Sequence, residues 1–221
     1  MEYITSSDFH FKDTAVALGK FEGIHRGHQL LMDEVKKQEL HGLRSVVFTF
    51  DRPTRLTLTG DTEYKQIYTK KERREILEKR GIDILIEHPF TKEFAALTPD
   101  RFIREVLVEK VGAKVIVVGT DFHFGKNRSG SIADLEKLEE ECGYHLIVVE
   151  KLQLNGKDIS STRIRASLEK GAFLNGEPIH VSHREALDTC IIAFGSAPYE
   201  KERASMLFPI FQRVFMETAD F

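Results

Sequence analysis

Short runs of Val, Ile and other apolar residues alternate with longer amphipathic segments along most of the chain. The apolar runs occupy residues 14–18, 45–50, 82–87, 114–118 and 144–149, and the longer segments occupy residues 29–40, 71–80, 98–111 and 131–142. Strands that alternate with helical segments of about a dozen residues are typical of βαβ units. Such units build a parallel sheet that is covered by helices on both faces, so the pattern predicts an α/β fold.

The composition fits one such domain, either alone or with a small appendage. The chain of 221 residues is about one and a half times as long as a typical domain. Its hydrophobic content of 41% is enough for a sizeable core. The formal net charge of −3 provides no overall attraction for nucleic acid or for an anionic membrane, so neither is an expected partner.

The sequence predicts a cytoplasmic protein. Residues 1–12 mix charged and apolar side chains and lack the apolar run of a signal peptide. No segment has the roughly 20 apolar residues that a membrane-spanning helix needs. The two cysteines, Cys142 and Cys190, form no CxxC pair, so we expect neither a disulfide framework nor a structural zinc site.

Three loops at the starts of predicted helices are rich in glycine, histidine and hydroxyl side chains. They read GKFEGIHRGH at residues 19–28, GTDFHFG at 119–125 and ISSTRIR at 159–165. In open α/β sheets, ligands bind beyond the carboxyl ends of the strands, in the loops that lead into helices. We therefore expect the functional site in these loops.

The first loop combines three glycines with His25 and His28, which lie about one helical turn apart. The free N–H groups at a helix N-terminus attract anions, so both imidazoles could contact one phosphate group there. The spacing matches neither the P-loop nor the dinucleotide-binding fingerprint. From the spacing alone, a tight turn with exposed histidines and a zinc-binding pair stay open as alternatives.

The other two loops allow a structural and a functional interpretation. Ser160, Ser161 and Thr162 suit helix capping, but three hydroxyls with two arginines exceed that need, and arginine suits polyphosphate. Arg163 and Arg165 are two residues apart and cannot share a helix face, so we expect one of them to face the site. In the 119–125 loop, Phe122 and Phe124 could stack on a flat ring, or one ring could belong to the core.

In this order, the three strings resemble the motifs of the prokaryotic FAD synthetase module of bifunctional riboflavin kinase/FMN adenylyltransferases, within the HxGH nucleotidyltransferase superfamily. The string IDILIEHPFTKEFAALTPDRFI at residues 82–103 is also similar to that family, and the resemblance extends over residues 15–171. It implies a Rossmann-like, doubly wound parallel sheet. It also implies transfer of AMP from ATP to FMN, with Mg²⁺, giving FAD and pyrophosphate.

The resemblance assigns roles to individual positions of this sequence. It implies that His25, His28 and Arg165 are catalytic and contact the reacting phosphates, whereas Arg163 occupies a variable position. The further positions that it implies for ATP are Gly19, Lys20, Phe21, Gly23, Gly119, Ser161 and Thr162, and those that it implies for the flavin are Asp121, Phe102 and Phe124. It gives no metal ligands.

Two strings depart from the family pattern. The usual Phe-Asp-Gly before the histidines is Phe21-Glu22-Gly23, and the flavin-side loop reads Phe50-Asp51-Arg52-Pro53-Thr54 where the family has Phe-Asp/Glu-Pro-His-Pro. The altered loop motivates an alternative acceptor, namely another phosphorylated small molecule. A flavin-binding or nucleotide-binding protein without catalysis is a second alternative.

The tail resembles no part of the family. We expect residues 1–174 to form the adenylyltransferase domain and residues 175–221 to form an irregular extension, with a strand at 189–194 and a helix at 201–216. The riboflavin kinase motifs do not appear there, so no kinase activity is expected. The apolar groups of the tail need cover, either on the same domain or in a homo-oligomer.

Overall fold

The computed structural model describes residues 1–52, 54, 57, 66–154, 156–170, 172–174 and 177–179. The chain divides into two compact units, Met1–Glu169 and Lys170–Phe221. The predicted strand at 189–194 and helix at 201–216 lie outside the described residues. The predicted boundary at residue 174 falls five residues beyond the division between the units, and as a functional boundary it stays a prediction.

The first unit contains a six-stranded sheet in which every pairing is parallel. Its strands are β1 (Glu2–Ile4), β2 (Thr14–Leu18), β3 (Arg44–Phe50), β4 (Ile84–His88), β5 (Ala113–Gly119) and β6 (His145–Val149). The order across the sheet is β1-β4-β3-β2-β5-β6. The prediction of a doubly wound parallel sheet is therefore confirmed.

Helical segments connect the strands. They are α1 (Arg26–Lys37) with a 3₁₀ turn at Gln38–His41, α2 (Lys70–Lys79), α3 (Lys92–Ala95), α4 (Pro99–Arg101), α5 (Ile132–Cys142) and α6 (Ser161–Lys170). The predicted helix at 98–111 forms in two parts: α4 continues directly into a π-helix at Phe102–Lys110. A hairpin of β7 (Gln153–Leu154) and β8 (Lys157–Asp158) precedes α6.

Two hydrophobic cores lie on the two faces of the sheet, because successive strand residues point to opposite sides. In β2, Val16 belongs to the core that contains Ile103 and Leu107 of the π-helix. Its neighbours Ala15 and Ala17 belong to the core that contains Met32 and other residues of α1. A sheet buried on both faces needs continuous apolar strands, which explains the unbroken Val and Ile runs.

The chain direction across the sheet reverses at β2. It proceeds from β2 to β3 and β4 on one side and then returns to β5 on the other side, so β2 pairs with both β3 and β5. The loops after β2 and β5 therefore diverge at a topological switch point, where open α/β sheets bind ligands. These are the 19–28 and 119–125 loops.

The second unit contains, among its described residues, an antiparallel pair of β9 (Ala172–Leu174) and β10 (Glu177–Ile179). In the parts of both units that the structure describes, no helix has the length and apolar character to cross a bilayer.

Candidate functional site

The loop after β2 is held in an uncommon backbone conformation. Phe21 and Ile24 have φ values of 46° and 23°, in or near the left-handed region that side chains other than glycine seldom adopt. A Cβ atom on Gly19 would lie 3.0 Å from the Phe21 ring, so the ring packs directly on this glycine. Phe21 and Ile24 are buried in the core. The loop thus presents backbone rather than these two side chains to a ligand.

The two histidines of the motif are stacked at the start of α1. Their ring centroids lie 3.8 Å apart and their planes differ by 17°. His25 is the N-cap residue, and its Nδ1 accepts a hydrogen bond of 3.3 Å from the backbone N–H of His28. Because Nδ1 accepts, the proton of a neutral His25 ring lies on Nε2. A Cβ atom on Gly27 would lie 3.2 Å from His25 Nδ1, so glycine makes room for the ring.

Burial disfavours the protonated form of both histidines. The pKa of His28 is lowered to about 3, mainly by burial and also by the neighbouring His25, while the negative charge of Asp121 partly opposes the shift. Burial also lowers the pKa of His25, again opposed by Asp121. His28 Nδ1 is buried with no hydrogen-bond partner among the described residues. A polar atom in that position needs a hydrogen-bond partner from a ligand or an ordered water.

The exposed carboxylate of Asp121 belongs to the 119–125 loop. Its Oδ2 lies 3.1 Å from Lys151 Nζ, which also lies 3.3 Å from Asp158 in β8. These contacts raise the pKa of Lys151, with the hydrogen bond to Asp121 as the main cause. The predicted site residue Asp121 is therefore near the histidine pair and is linked to the hairpin before α6.

The start of α6 contacts the loop after β2. A Cβ atom on Gly23 would lie 3.2 Å from Ser161 Oγ, so only a glycine lets these two segments approach so closely. Arg165 Nη2 donates a hydrogen bond of 2.8 Å to Glu22 Oε2. Glu22, which stands where the family has Asp, is buried and accepts this hydrogen bond. Arg165 and Ser161 thus contact the first loop.

The remaining residues of the third loop are divided between capping and the site. Ser160 Oγ accepts a hydrogen bond of 3.3 Å from the Arg163 backbone N–H, so Ser160 serves as a helix cap. Arg163 Nη1 donates to the carbonyl of Asp158 at 3.3 Å, on the hairpin. Thr162 is exposed at the start of the helix. Only Arg165 of the two arginines reaches the first loop, as predicted from their spacing.

The predicted flavin-side aromatic residues lie in the core. Phe102 and Phe124 are 6% and 8% exposed, and their ring centroids lie 5.4 Å apart. Phe122 is only partly buried and stacks on Phe124 at 5.5 Å. Of the two alternatives for this loop, the structure therefore places the Phe124 ring in the core.

A buried ion pair beside the site is absent from the sequence-based site prediction. Arg73 of α2 donates from Nε to Glu87 Oε1 of β4 at 3.0 Å, and its Nη2 contacts the same oxygen. Tyr3 of β1 donates to Glu87 Oε2 at 2.6 Å. Burial, with the hydrogen bond and charge of Glu87, raises the pKa of Tyr3 to about 12. In the sequence, Glu87 is the residue that could have indicated this ion pair, since a carboxylate within an apolar run needs a buried partner.

Arg73 also borders a depression between the loop after β2 and the end of β3. Its guanidinium lies against the backbone carbonyls of Lys20 and Phe50, at 3.5 and 3.3 Å. A shallow, open depression is lined by Arg73, Lys20, Glu22, Arg52 and neighbouring residues. Two of these cations are already paired, Arg73 with Glu87 and Arg52 with Asp51, so the side chain of Arg73 serves the protein rather than a ligand.

Comparisons with known proteins identify a family. A family model described as FAD synthetase matches residues 8–163. The chain is 30% identical over 179 residues to the bifunctional riboflavin kinase/FMN adenylyltransferase of Buchnera aphidicola subsp. Schizaphis graminum, with 78% of this chain and 57% of that protein covered. It is 31% identical over 176 residues to the protein of the same name from Escherichia coli K12, with coverage of 76% and 56%. The chain thus spans little more than half the length of these curated relatives.

A solved structure is similar as well. The crystal structure of a protein from Streptococcus pneumoniae named as a macrolide-efflux protein matches with a TM-score of 0.66 and 29% sequence identity. The match covers 76% of this chain and 58% of that chain.

Proposed function

Because this chain belongs to the FAD synthetase family, we propose that it transfers the AMP group of ATP to FMN, giving FAD and pyrophosphate. One observation carries the proposal: the stacked pair of His25 and His28 lies at the N-terminus of α1, at the switch point of the sheet. Arg165 comes to the same loop through Glu22. These groups suit a reaction that takes place between phosphates.

The proposed reaction is a direct displacement at phosphorus. A phosphate oxygen of FMN attacks the α-phosphorus of ATP, the bond from that phosphorus to the bridging oxygen breaks, and pyrophosphate leaves with the electron pair. The protein contributes no covalent nucleophile, so its part is to position the reactants and to stabilise charge. Donors that are fixed in place before the reaction contribute about 10²- to 10³-fold each in rate.

His25, His28 and Arg165 are the proposed catalytic residues. As neutral imidazoles, the histidines act as hydrogen-bond donors to phosphate oxygens and not as acids, since burial lowers the pKa of each. The unpaired Nδ1 of His28 is an atom that a bound phosphate or its water would satisfy. Arg165 adds a permanent positive charge and several donors in one plane.

Further residues are proposed to hold the two substrates. Around ATP, the backbone of the glycine-rich loop and the N–H groups of α1 form an anion site, and hydroxyls of α6 add donors. Its proposed residues are Gly19, Lys20, Phe21, Gly23, Gly119, Ser161 and Thr162. For the flavin we propose Asp121, with Phe102 and Phe124 contributing to an apolar floor.

We propose that Mg²⁺ enters with ATP. This ion is usually held by one or two carboxylates together with substrate phosphates. Across the described parts of the chain, no group of three or more His, Cys, Asp and Glu side chains could hold a metal by itself. The Asp121 carboxylate, whose charge acts on both histidines, fits a metal that is held mainly by phosphate. When bound, the ion neutralises charge on the polyphosphate.

We further propose that residues 1–174 carry this activity, that the protein is cytoplasmic, and that the apolar residues of 175–221 promote a homo-oligomer. Size-exclusion chromatography with light scattering, on the full chain and on a chain ending at residue 174, tests the last point. A monomeric full chain would exclude it.

The test of the activity is a turnover assay on the intact chain. Purified protein is incubated with ATP, Mg²⁺ and FMN, with riboflavin as a parallel acceptor, and FAD is measured by chromatography while pyrophosphate release is measured separately. We expect FAD from FMN. In addition, His28→Ala should lower kcat much more than it weakens FMN binding, whereas His41→Ala, an exposed histidine beyond the other end of α1, should change neither.

The outcomes separate the alternatives. Pyrophosphate release with another phosphorylated acceptor, and none with FMN, would show that the acceptor is wrong and the chemistry right. Binding of ATP and FMN by a folded protein without any product would favour a binding protein over an enzyme.

A further inference from the structure

We infer that Arg73 is a positioning residue that sets the distance between the donor side and the acceptor side of the site. The inference rests on the proposed function. It arises from one guanidinium group that contacts both loops. Arg73 Nη1 lies 3.5 Å from the carbonyl oxygen of Lys20, in the loop proposed for ATP. Its Nη2 donates at 3.3 Å to the carbonyl oxygen of Phe50, where the proposed flavin-side loop begins.

The guanidinium is itself held in place. The side chains of Arg73 and Glu87 are 6% and 0% exposed, and two guanidinium nitrogens contact Glu87 Oε1. The second carboxylate oxygen accepts a hydrogen bond from Tyr3 at 2.6 Å. A buried arginine whose counter-ion is fixed from the opposite side has little freedom to move. The network thus extends from β1 through β4 and α2 to the two loops.

The Lys20 carbonyl is the point at which the network meets the motif. Besides Arg73, Thr49 Oγ1 of β3 donates to the same oxygen at 2.9 Å. The next residue, Phe21, has a φ value of 46°, and Ile24 has 23°. A strained segment keeps its conformation only where its surroundings determine it. Two donors on Lys20 therefore fix the start of the strained segment that ends at His25.

A fixed distance between the loops matters for the reaction. Direct attack of one phosphate on another requires the reacting atoms to be held about 3–3.5 Å apart, and a displacement of about 1 Å costs up to about 100-fold in rate. Neither substrate needs to touch Arg73 for this. Loss of the contact to both loops should therefore lower kcat while the KM of each substrate changes little.

Arg73→Lys is the variant that isolates positioning from stability. Lysine keeps the positive charge beside Glu87, but a single ammonium group cannot reproduce the planar fork that reaches Glu87 and both carbonyls. Arg104→Lys is the matched control. Arg104 pairs with Asp100 and Glu141 at 2.9 Å each, on the surface beside α5. Both variants are compared with the natural protein by urea unfolding and by steady-state kinetics.

We expect Arg73→Lys to remain folded and to lose about tenfold in kcat, with KM for ATP and FMN within about threefold of the natural values. Arg104→Lys should retain the natural kcat. Thr49→Val, which removes the other donor to Lys20, should also lower kcat. A folded Arg73→Lys protein with the natural kcat would overturn the inference, because a purely structural ion pair predicts that result.

A second measurement does not depend on turnover. The ring resonances of His25 and His28, observed by NMR in the intact chain, report the conformation of the motif loop. They should shift in Arg73→Lys and Thr49→Val and stay unchanged in Arg104→Lys. If the natural protein makes no FAD, the proposed function fails while these resonances still decide the positioning role. Unchanged histidine resonances in both test variants would refute it.

Should Arg73→Lys fail to fold, the double variant Arg73→Met/Glu87→Gln replaces it. Removing both charges avoids an uncompensated buried charge, which is the costly result of a single neutral substitution. The expected loss of kcat and the expected histidine shifts are the same. Natural kcat and natural histidine resonances in the folded double variant would overturn the inference.

Discussion

Glu22 and Arg165 are separated by 143 residues in the sequence and are joined by a hydrogen bond of 2.8 Å. Their side chains are 8% and 16% exposed, so the contact is largely shielded from water. It holds the start of α6 against the loop that contains the histidine pair. The substitution of Glu for the family's Asp before the histidines thus coincides with a direct contact to a proposed catalytic arginine.

The first prediction concerns this contact. Glu22→Ala removes the carboxylate that accepts the 2.8 Å hydrogen bond of Arg165, and the guanidinium loses that constraint on its direction. We expect kcat to fall by about tenfold, since a misplaced catalytic group loses rate without losing charge. Glu22→Asp is the informative control, because it keeps the carboxylate and should retain more activity than Glu22→Ala. Steady-state kinetics with ATP as the varied substrate measures both, and equal rates for the two variants would contradict the prediction.

The second prediction concerns Gly27. Alanine at this position stabilises a helix by about 1 kcal/mol relative to glycine, but its Cβ would lie 3.2 Å from His25 Nδ1 and 3.3 Å from Cε1. The ring must move by a few tenths of an ångström, which disturbs the stacked pair. We expect Gly27→Ala to lower kcat at least severalfold while the free energy of unfolding stays within about 1 kcal/mol of the natural value.

Asp33→Ala, a substitution on the exposed surface of the same helix, serves as the control for Gly27→Ala. Urea unfolding and turnover are measured on both proteins. Natural activity in Gly27→Ala would show that the ring can adjust without cost, and a large loss of stability would show that the effect is on folding.

The sequence was sufficient for most of the fold. Five of the strands were predicted within two residues of their ends, because a strand buried on both faces is a continuous apolar run. β1 was not predicted, because Glu2–Ile4 is short and its pairing with β4 joins residues far apart in the chain. The π-helix at Phe102–Lys110 was expected as an ordinary helix, since periodicity does not separate the two.

The side-chain partnerships of the site were less predictable. Motif resemblance predicts His25, His28 and Arg165 as site residues, but the contact from Arg165 to Glu22 depends on how α6 returns to the loop after β2. Arg73 lies in a segment full of Lys, Arg and Glu, which indicates an exposed helix. Only the fold shows that its side chain is buried against Glu87. Long-range pairs of this kind follow from tertiary packing and not from local pattern.

The third prediction separates steric from conformational demands on glycine. Gly112 has a φ value of +66°, and a Cβ atom there would lie 2.2 Å from the carbonyl oxygen of Phe11. Gly143, which ends α5, has a φ value of +67° and nothing within 4 Å. Left-handed backbone costs alanine roughly 1–2 kcal/mol at either position.

We therefore expect Gly143→Ala to lower the free energy of unfolding by about 1–2 kcal/mol. Gly112→Ala should lower it by several kcal/mol, on the order of a strong core substitution, because the backbone itself must move. Urea unfolding of both variants gives the comparison. Equal losses of unfolding free energy in the two variants would mean that the backbone around Phe11 can move aside without an energetic cost.

The last prediction is a dependence of stability on pH. The pKa of His28 is lowered to about 3 in the folded protein, mainly by burial, whereas an unfolded histidine titrates near 6.5. Below about pH 6.5 the unfolded chain therefore binds a proton that the folded protein does not bind. Stability must then fall as the pH falls from about 6.5 towards 3, by up to about 1.4 kcal/mol per pH unit from this residue. Urea unfolding at pH 7, 6 and 5 without ATP measures this loss of stability.

The substitution His28→Asn removes the titrating group, so the stability of that variant should decline less steeply than that of the natural protein. His41→Asn, which replaces an exposed histidine, should follow the natural curve. Parallel curves for the natural protein and His28→Asn would show that His28 titrates normally, and the donor role proposed for a neutral imidazole would then lose its basis.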